Sequence, residues 1–151
     1  MERVDNPAKG PLQGLRVLSL EDNALIAMSV VEMLRDAGAR TEDCTTIEAA
    51  IHALRLRTYD VALLDLSVHG ELSFAVAKAA LERDVPIIFV TGYGVETLPR
   101  DWQGYEVCEK PYSEDELCRS IKNVVSRSDV SRLSANEGCG ALIWERVLRQ
   151  S

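Results

Sequence analysis

The stretch VALLDLSVHG, residues 61–70, decides the fold: an apolar run ends on one carboxylate, Asp65, and passes directly into turn formers. An uninterrupted apolar run of this length, bounded by turn signals, reads as a buried strand. A carboxylate at its edge then needs an explanation, because an unpaired charge is costly to bury.

Outward from this stretch the pattern repeats. LRVLSL (15–20), ARTEDC (39–44), PIIFV (86–90) and YEVCEK (105–110) are further short apolar or β-branched runs, with 39–44 the weakest of them. Helical patterns lie between them. Ile26, Val30, Met33, Leu34 and Ala37 share one helical face, and Gly38 closes that helix. Thr45 with Glu48, and Ser113 with Glu116, have capping-box spacing and predict two more helix starts. ELSFAVAKAALER (71–83) supplies another helix. Strand and helix alternating from residue 14 to residue 127 predict an α/β fold, a five-stranded parallel sheet with helices on both faces. TGYGVETLPRDWQG (91–104), with three glycines and a proline, predicts a short or distorted fourth helix.

Composition narrows the function. With 151 residues, 46% of them hydrophobic, the chain has one ordinary core. A net charge of −7 argues against nucleic-acid and anionic-membrane partners and favours proteins or cations. No apolar stretch has membrane-spanning length and MERVDNPAKG has no signal-peptide core, so a cytoplasmic setting is expected. Cys44, Cys108, Cys118 and Cys139 are scattered and are expected to be reduced thiols.

In an open α/β sheet, residues just beyond the strands converge on one rim. Here they are Glu21, Asp22, Asp65, Thr91 and Lys110. Three close carboxylates call for a cation. Mg2+ suits Asp22 and Asp65 as direct ligands, with Glu21 beside them or acting through water.

The ordered set LSLEDN, LLDLS, IIFVTG and CEKPY resembles the receiver domain of two-component response regulators, the flavodoxin-like or CheY-like fold. The resemblance implies that Asp65 accepts a phosphoryl group from a histidine kinase or histidine phosphotransfer protein. It also implies that Asp22, Asp65 and the Ser67 carbonyl ligate Mg2+, with Glu21 completing the acid pair. Lys110 and Thr91 would each engage a phosphoryl oxygen, and the bond before Pro111 would be cis, aiming Lys110 inward. Phosphorylation would draw Thr91 inward and change a protein-binding surface.

The family's switch aromatic is replaced by Val107. FVTGYG, DLSVHGELSF and KPY instead resemble alphaproteobacterial stand-alone receivers with a TGY-type loop, which gives Tyr93 a coupling role. A single-domain response regulator is expected, with a phosphate sink, a relay intermediate or a phosphorylation-independent pseudo-receiver as alternatives. A flavin or nucleotide binder would need a Ser/Thr/Gly-rich cradle after strand one, and a haloacid-dehalogenase-type phosphatase would need DxD on strand one; neither pattern is present.

The remaining signals have plainer readings. His52 reads as a half-buried filler and His69 as a turn residue within reach of the rim. Trp102 and Tyr105 read as aromatics packed on the sheet, with a partner anchor as the alternative. SEDE (113–116) reads as helix-start electrostatics. Residues 1–13 are expected to form a loose arm, 14–127 the domain, and 128–151 a tail. In that tail, DVSRLSANEGCG reads as a linker and ALIWERVLRQ as a short helix for packing, partner binding or homodimerisation.

Overall fold

A computed structural model describes residues 10–92 and 98–136. Strands β1 (Arg16–Leu20), β2 (Arg40–Cys44), β3 (Val61–Asp65), β4 (Ile87–Thr91) and β5 (Glu106–Glu109) form one sheet in the order β2-β1-β3-β4-β5. Every neighbouring pair is parallel. Helices α1 (Ala24–Asp36), α2 (Ile47–Leu56), α3 (Phe74–Glu82) and α4 (Glu114–Asn136) cover both faces.

The three central strands show why they read as continuous apolar runs. Leu18, Leu20, Ala62, Leu64, Ile87 and Phe89 face α2 and α3, while Val17, Val61, Leu63, Ile88 and Val90 face α1 and α4. Alternate side chains point to opposite faces, and both faces are covered, so neither set can be polar. β2 lies on the edge, and among its residues only Cys44 is buried.

Local chemistry sets the helix ends. Asn23 caps α1, its Oδ1 accepting from the N–H groups of Leu25 and Ile26 at 3.0 and 3.2 Å. Gly38, at φ +95°, turns the chain out of α1 in the left-handed conformation that glycine tolerates. The expected capping box at the start of α4 is present in both directions: Glu116 N–H to Ser113 Oγ at 3.1 Å, and Ser113 N–H to Glu116 Oε1 at 2.9 Å.

Four expectations are corrected. The cap of α2 is Thr46, whose Oγ1 accepts from Ala49 N–H at 3.0 Å, one residue beyond the expected Thr45. α3 begins at Phe74, because Glu71–Leu72 pairs with Ser67–Val68 in a short antiparallel hairpin. Residues 10–13, expected within the arm, are tied down: Leu12 is fully buried and its N–H bonds Ala37 O at 2.8 Å, fastening this segment to the end of α1. Residues 129–136, the first part of the expected linker, continue α4, since no glycine or proline interrupts the chain before Gly138. The helix expected in ALIWERVLRQ lies outside the described residues.

The sheet is covered differently near β4 and β5. Among the described residues of the β4–β5 connection there is only a 3-10 turn, Arg100–Trp102. Trp102 stacks on Phe74 with ring centres 5.1 Å apart and meets Phe89 edge-on at 5.7 Å. Tyr105 closes the cluster against Trp102 at 5.5 Å. These rings bury the sheet face beside β4, and each aromatic pair adds about 1 kcal/mol beyond its burial.

Candidate functional site

The carboxyl ends of β1, β3, β4 and β5 bring Glu21, Asp22, Asp65, Thr91 and Lys110 to one rim. Carboxylate oxygens of Glu21, Asp22 and Asp65 all lie within 4.8 Å of one another. Lys110 Nζ stands 3.0 Å from Glu21 Oε1 and 3.5 Å from Asp65 Oδ1. One ammonium therefore faces two of the three clustered carboxylates.

Each carboxylate has a different environment. Glu21 is buried, and both of its oxygens are used: Oε1 takes the Lys110 hydrogen bond and Oε2 accepts from Asn23 N–H at 3.0 Å. Asp22 accepts the main-chain N–H of His69 at 2.7 Å, which holds its carboxyl below the usual range. Asp65 is pushed up to about 6, first by burial and then by the Glu21 charge, with Lys110 partly offsetting both. Burial works against the Lys110 charge, but the hydrogen bond it donates to Glu21 and the Asp65 charge outweigh it and raise its pKa.

Thr91 ends β4 and is 3% exposed, and its carbonyl accepts Lys110 N–H at 2.8 Å, linking two site residues through the backbone. The Lys110–Pro111 peptide is cis. Ser67 is exposed and begins the hairpin two residues beyond Asp65. Val107 is half-buried on β5, opposite Phe89, and packs on the core that contains Trp102. Tyr93 lies outside the described residues.

The donor set consists of hard oxygens, and one lysine does not neutralise it, so a divalent oxygen-seeking ion fits these residues. Among the described residues, neither a histidine nor a cysteine belongs to this cluster. Three contributors had weak sequence signals. Asn23 orients Glu21 through a main-chain N–H, and His69 orients Asp22 in the same way. Asp43, raised by burial and by the Glu21 charge, adds negative potential from the end of β2.

A doubly wound parallel sheet carrying acids, a hydroxyl and a lysine at its carboxyl rim defines a class of phosphate-handling α/β domains. Residues 17–122 match the family described as "Response regulator receiver domain", and the chain belongs to that family of signalling phosphoacceptor domains. It is 30% identical over 137 residues to the transcriptional regulatory protein PdtaR of Mycobacterium tuberculosis; the match covers 87% of this chain and 66% of that protein's length. The receiver domain of sensor histidine kinase PA1611 from Pseudomonas aeruginosa, solved with a magnesium ion in its active-site cleft, superposes with a TM-score of 0.64 at 23% identity. That superposition covers 75% of this chain and 98% of the other. A response regulator receiver protein from Sinorhizobium medicae superposes with a TM-score of 0.68 at 20% identity, covering 78% and 98%. No helix among the described residues is long and apolar enough to cross a membrane.

Proposed function

We propose that Asp65 is the phosphoacceptor of this receiver and that Glu21, Asp22, Asp65 and the Ser67 carbonyl form its Mg2+ site. The observation that carries this reading is Lys110 Nζ poised between Glu21 and Asp65, at 3.0 and 3.5 Å, beside an uncompensated acid cluster. A bound Mg2+ would lower the repulsion between this acidic rim and an incoming phosphoryl group.

The chain's own residues would perform the transfer. With a pKa of about 6, Asp65 is ionised at neutral pH and available as the nucleophile. Its oxygen bonds to phosphorus as the phosphorus–nitrogen bond of a phosphohistidine breaks, and the departing imidazole nitrogen takes a proton. Lys110, held by Glu21, pairs with a phosphoryl oxygen, and Thr91 hydrogen-bonds another. The hydrogen bonds from Asn23 and His69 keep Glu21 and Asp22 in place, so little reorganisation is needed.

The phosphodonor, a histidine kinase or histidine phosphotransfer protein, would dock beside the rim. An apolar groove of about 410 Å3 runs there between α1 and the Lys110–Tyr112 segment. On α1, Leu25 and Met28 are 77% and 64% exposed. Output would pass through protein contacts made at Thr91, at the end of β4, at Tyr93, two residues on in the sequence, and at Val107 on β5; the net charge of −7 supports protein partners over DNA. The acceptor is tested by borohydride reduction of the phosphorylated protein followed by peptide mapping. Homoserine at position 65 is expected, and homoserine at Asp22 or its absence from position 65 would contradict the assignment.

A further inference from the structure

We propose that one water molecule is bound beneath Asp65 by the hydroxyls of Ser19 and Tyr112 and by the Asp65 carboxylate, and that Ser19 is thereby a positioning residue for that carboxylate. The water site stands on the cavity alone, whereas the positioning role rests on the acceptor reading given above.

Ser19 is the anomaly that leads to this site. It lies in the central strand β1 between Leu18 and Leu20, on the face that Val17 turns toward α1 and α4. Both faces of this strand are covered, and its other buried residues are apolar. A valine would fill position 19 as one fills position 17. Ser19 is instead 3% exposed, with a hydroxyl that has no hydrogen-bond partner among the described residues. A buried hydroxyl left without a partner is destabilising, so this one calls for a partner.

The space beside Ser19 can hold one. A void of about 10 Å3 lies there, lined by Ser19, Glu21, Asp65 and Tyr112, with Val30 and Leu63 among its apolar walls. That is room for a single water. Voids that stay dry are lined by apolar groups, whereas two hydroxyl and two carboxylate residues line this one. Both oxygens of Glu21 are already used, by Lys110 and by the Asn23 N–H. Ser19, Tyr112 and Asp65 remain, and three hydrogen bonds are typical of a buried water. The Tyr112 hydroxyl is pushed up to about 12, first by burial and then by its neighbours Cys108, Glu21 and Asp65, so it stays protonated and can donate. Ser19 and Tyr112 then donate to the water oxygen, and the water donates to the carboxylate. A carboxylate held in this way from the core side turns less freely, which favours its alignment with an incoming phosphoryl group.

The test joins a crystal structure of the full chain, at a resolution that shows ordered water, to the rate at which acetyl phosphate labels Asp65 in Mg2+. In wild type we expect one water within hydrogen-bond distance of Ser19 Oγ, Tyr112 Oη and an Asp65 oxygen. Ser19→Val fills the void with methyl groups and expels the water. Its maximal labelling rate should fall by about tenfold, with the half-saturating acetyl phosphate concentration unchanged, because the donor does not enter the void. Thermal melts should show no loss of stability in this variant, which separates a slower acceptor from a damaged fold. Tyr112→Phe keeps the ring, removes one donor and should lower the same maximal rate by about threefold. An empty void in wild type, or a water that persists in Ser19→Val, overturns the site. A Ser19→Val protein that loses the water yet labels at the wild-type rate overturns the positioning role and makes Ser19 a packing residue. A wild-type chain that holds the water but takes no phosphoryl group at Asp65 defeats the acceptor reading and the positioning role with it, while the water site stands, so the failures are distinguishable.

Discussion

Asp65→Asn should stabilise the metal-free protein while abolishing its chemistry. The fold holds Asp65 at about 6 against an ordinary 3.8, chiefly through burial and then the Glu21 charge. Because the folded value is raised, the folded state binds more protons than the unfolded state between these two values, and stability falls as pH rises through that window. Above it the ionised carboxylate costs the fold about 3 kcal/mol, at about 1.4 kcal/mol per tenfold shift. Asn removes that charge, and because the value of about 6 already includes the offsetting attraction of Lys110, 3.5 Å away, only solvent screening at the rim reduces the net gain, to about 1–2 kcal/mol. For a domain of this size the gain corresponds to about 5 °C in Tm at neutral pH. Near pH 4.5 the cost of the wild-type carboxylate shrinks to about a third, and the advantage of the variant should shrink with it. Excess Mg2+ should raise the Tm of wild type and leave the variant nearly unmoved. Thermal melts at both pH values, with EDTA and with Mg2+, are the assay. A variant no more stable than wild type at neutral pH, or equally advantaged at both pH values, would refute the reasoning.

Other perturbations have outcomes of different kinds. Lys110→Ala leaves the buried Glu21 carboxylate without its cation and should cost about 2–4 kcal/mol in urea melts, with Mg2+ recovering part of the loss. Trp102→Ala opens the ring cluster over β4 and should cost about 3–5 kcal/mol, read by the same melts; a loss below about 1 kcal/mol would mean that the rings do not cover the sheet. Glu42 is lowered to about 2, first by the Arg57 hydrogen bond and then by that of Tyr59, so its contribution to stability is present above about 4.5 and is lost as pH falls toward 2. Glu42→Gln should therefore flatten the acid side of the stability curve measured by circular dichroism. Leu25→Glu combined with Met28→Glu should slow phosphotransfer from a cognate kinase by about tenfold or more without changing labelling by acetyl phosphate, since only the macromolecular donor needs the α1 surface.

The legibility of this protein follows its packing. β1, β3 and β4 were readable because both of their faces are buried, which leaves an apolar run. β2 was the weakest strand in the sequence because it is an edge strand with one buried residue. The rim residues were readable because each ends or closely follows a strand, and strand ends converge whatever the intervening sequence. What the pattern missed depends on single contacts or on main-chain atoms. Leu12 is one apolar residue in a polar segment, and its burial depends on fitting against Ala37. Thr45 and Thr46 are adjacent and equally able to cap, so only backbone geometry separates them. The hydrogen bonds that orient Glu21 and Asp22 come from the main chain of Asn23 and His69, and a main-chain donor has no residue signature. The 3-10 turn in the described part of the β4–β5 connection agrees with the glycines and proline of that stretch, whereas the stacking of Phe74 on Trp102 joins residues far apart in the chain.

The central claim is that Asp65 accepts phosphate within a metal-dependent acidic rim. Intact mass after incubation with acetyl phosphate tests it most directly, on wild type and Asp65→Asn, with Mg2+ or with EDTA. A gain of about 80 Da, one phosphoryl group, in wild type with Mg2+ alone is the predicted result. The same gain in Asp65→Asn or in EDTA, or no gain together with no beryllofluoride binding, would contradict the account.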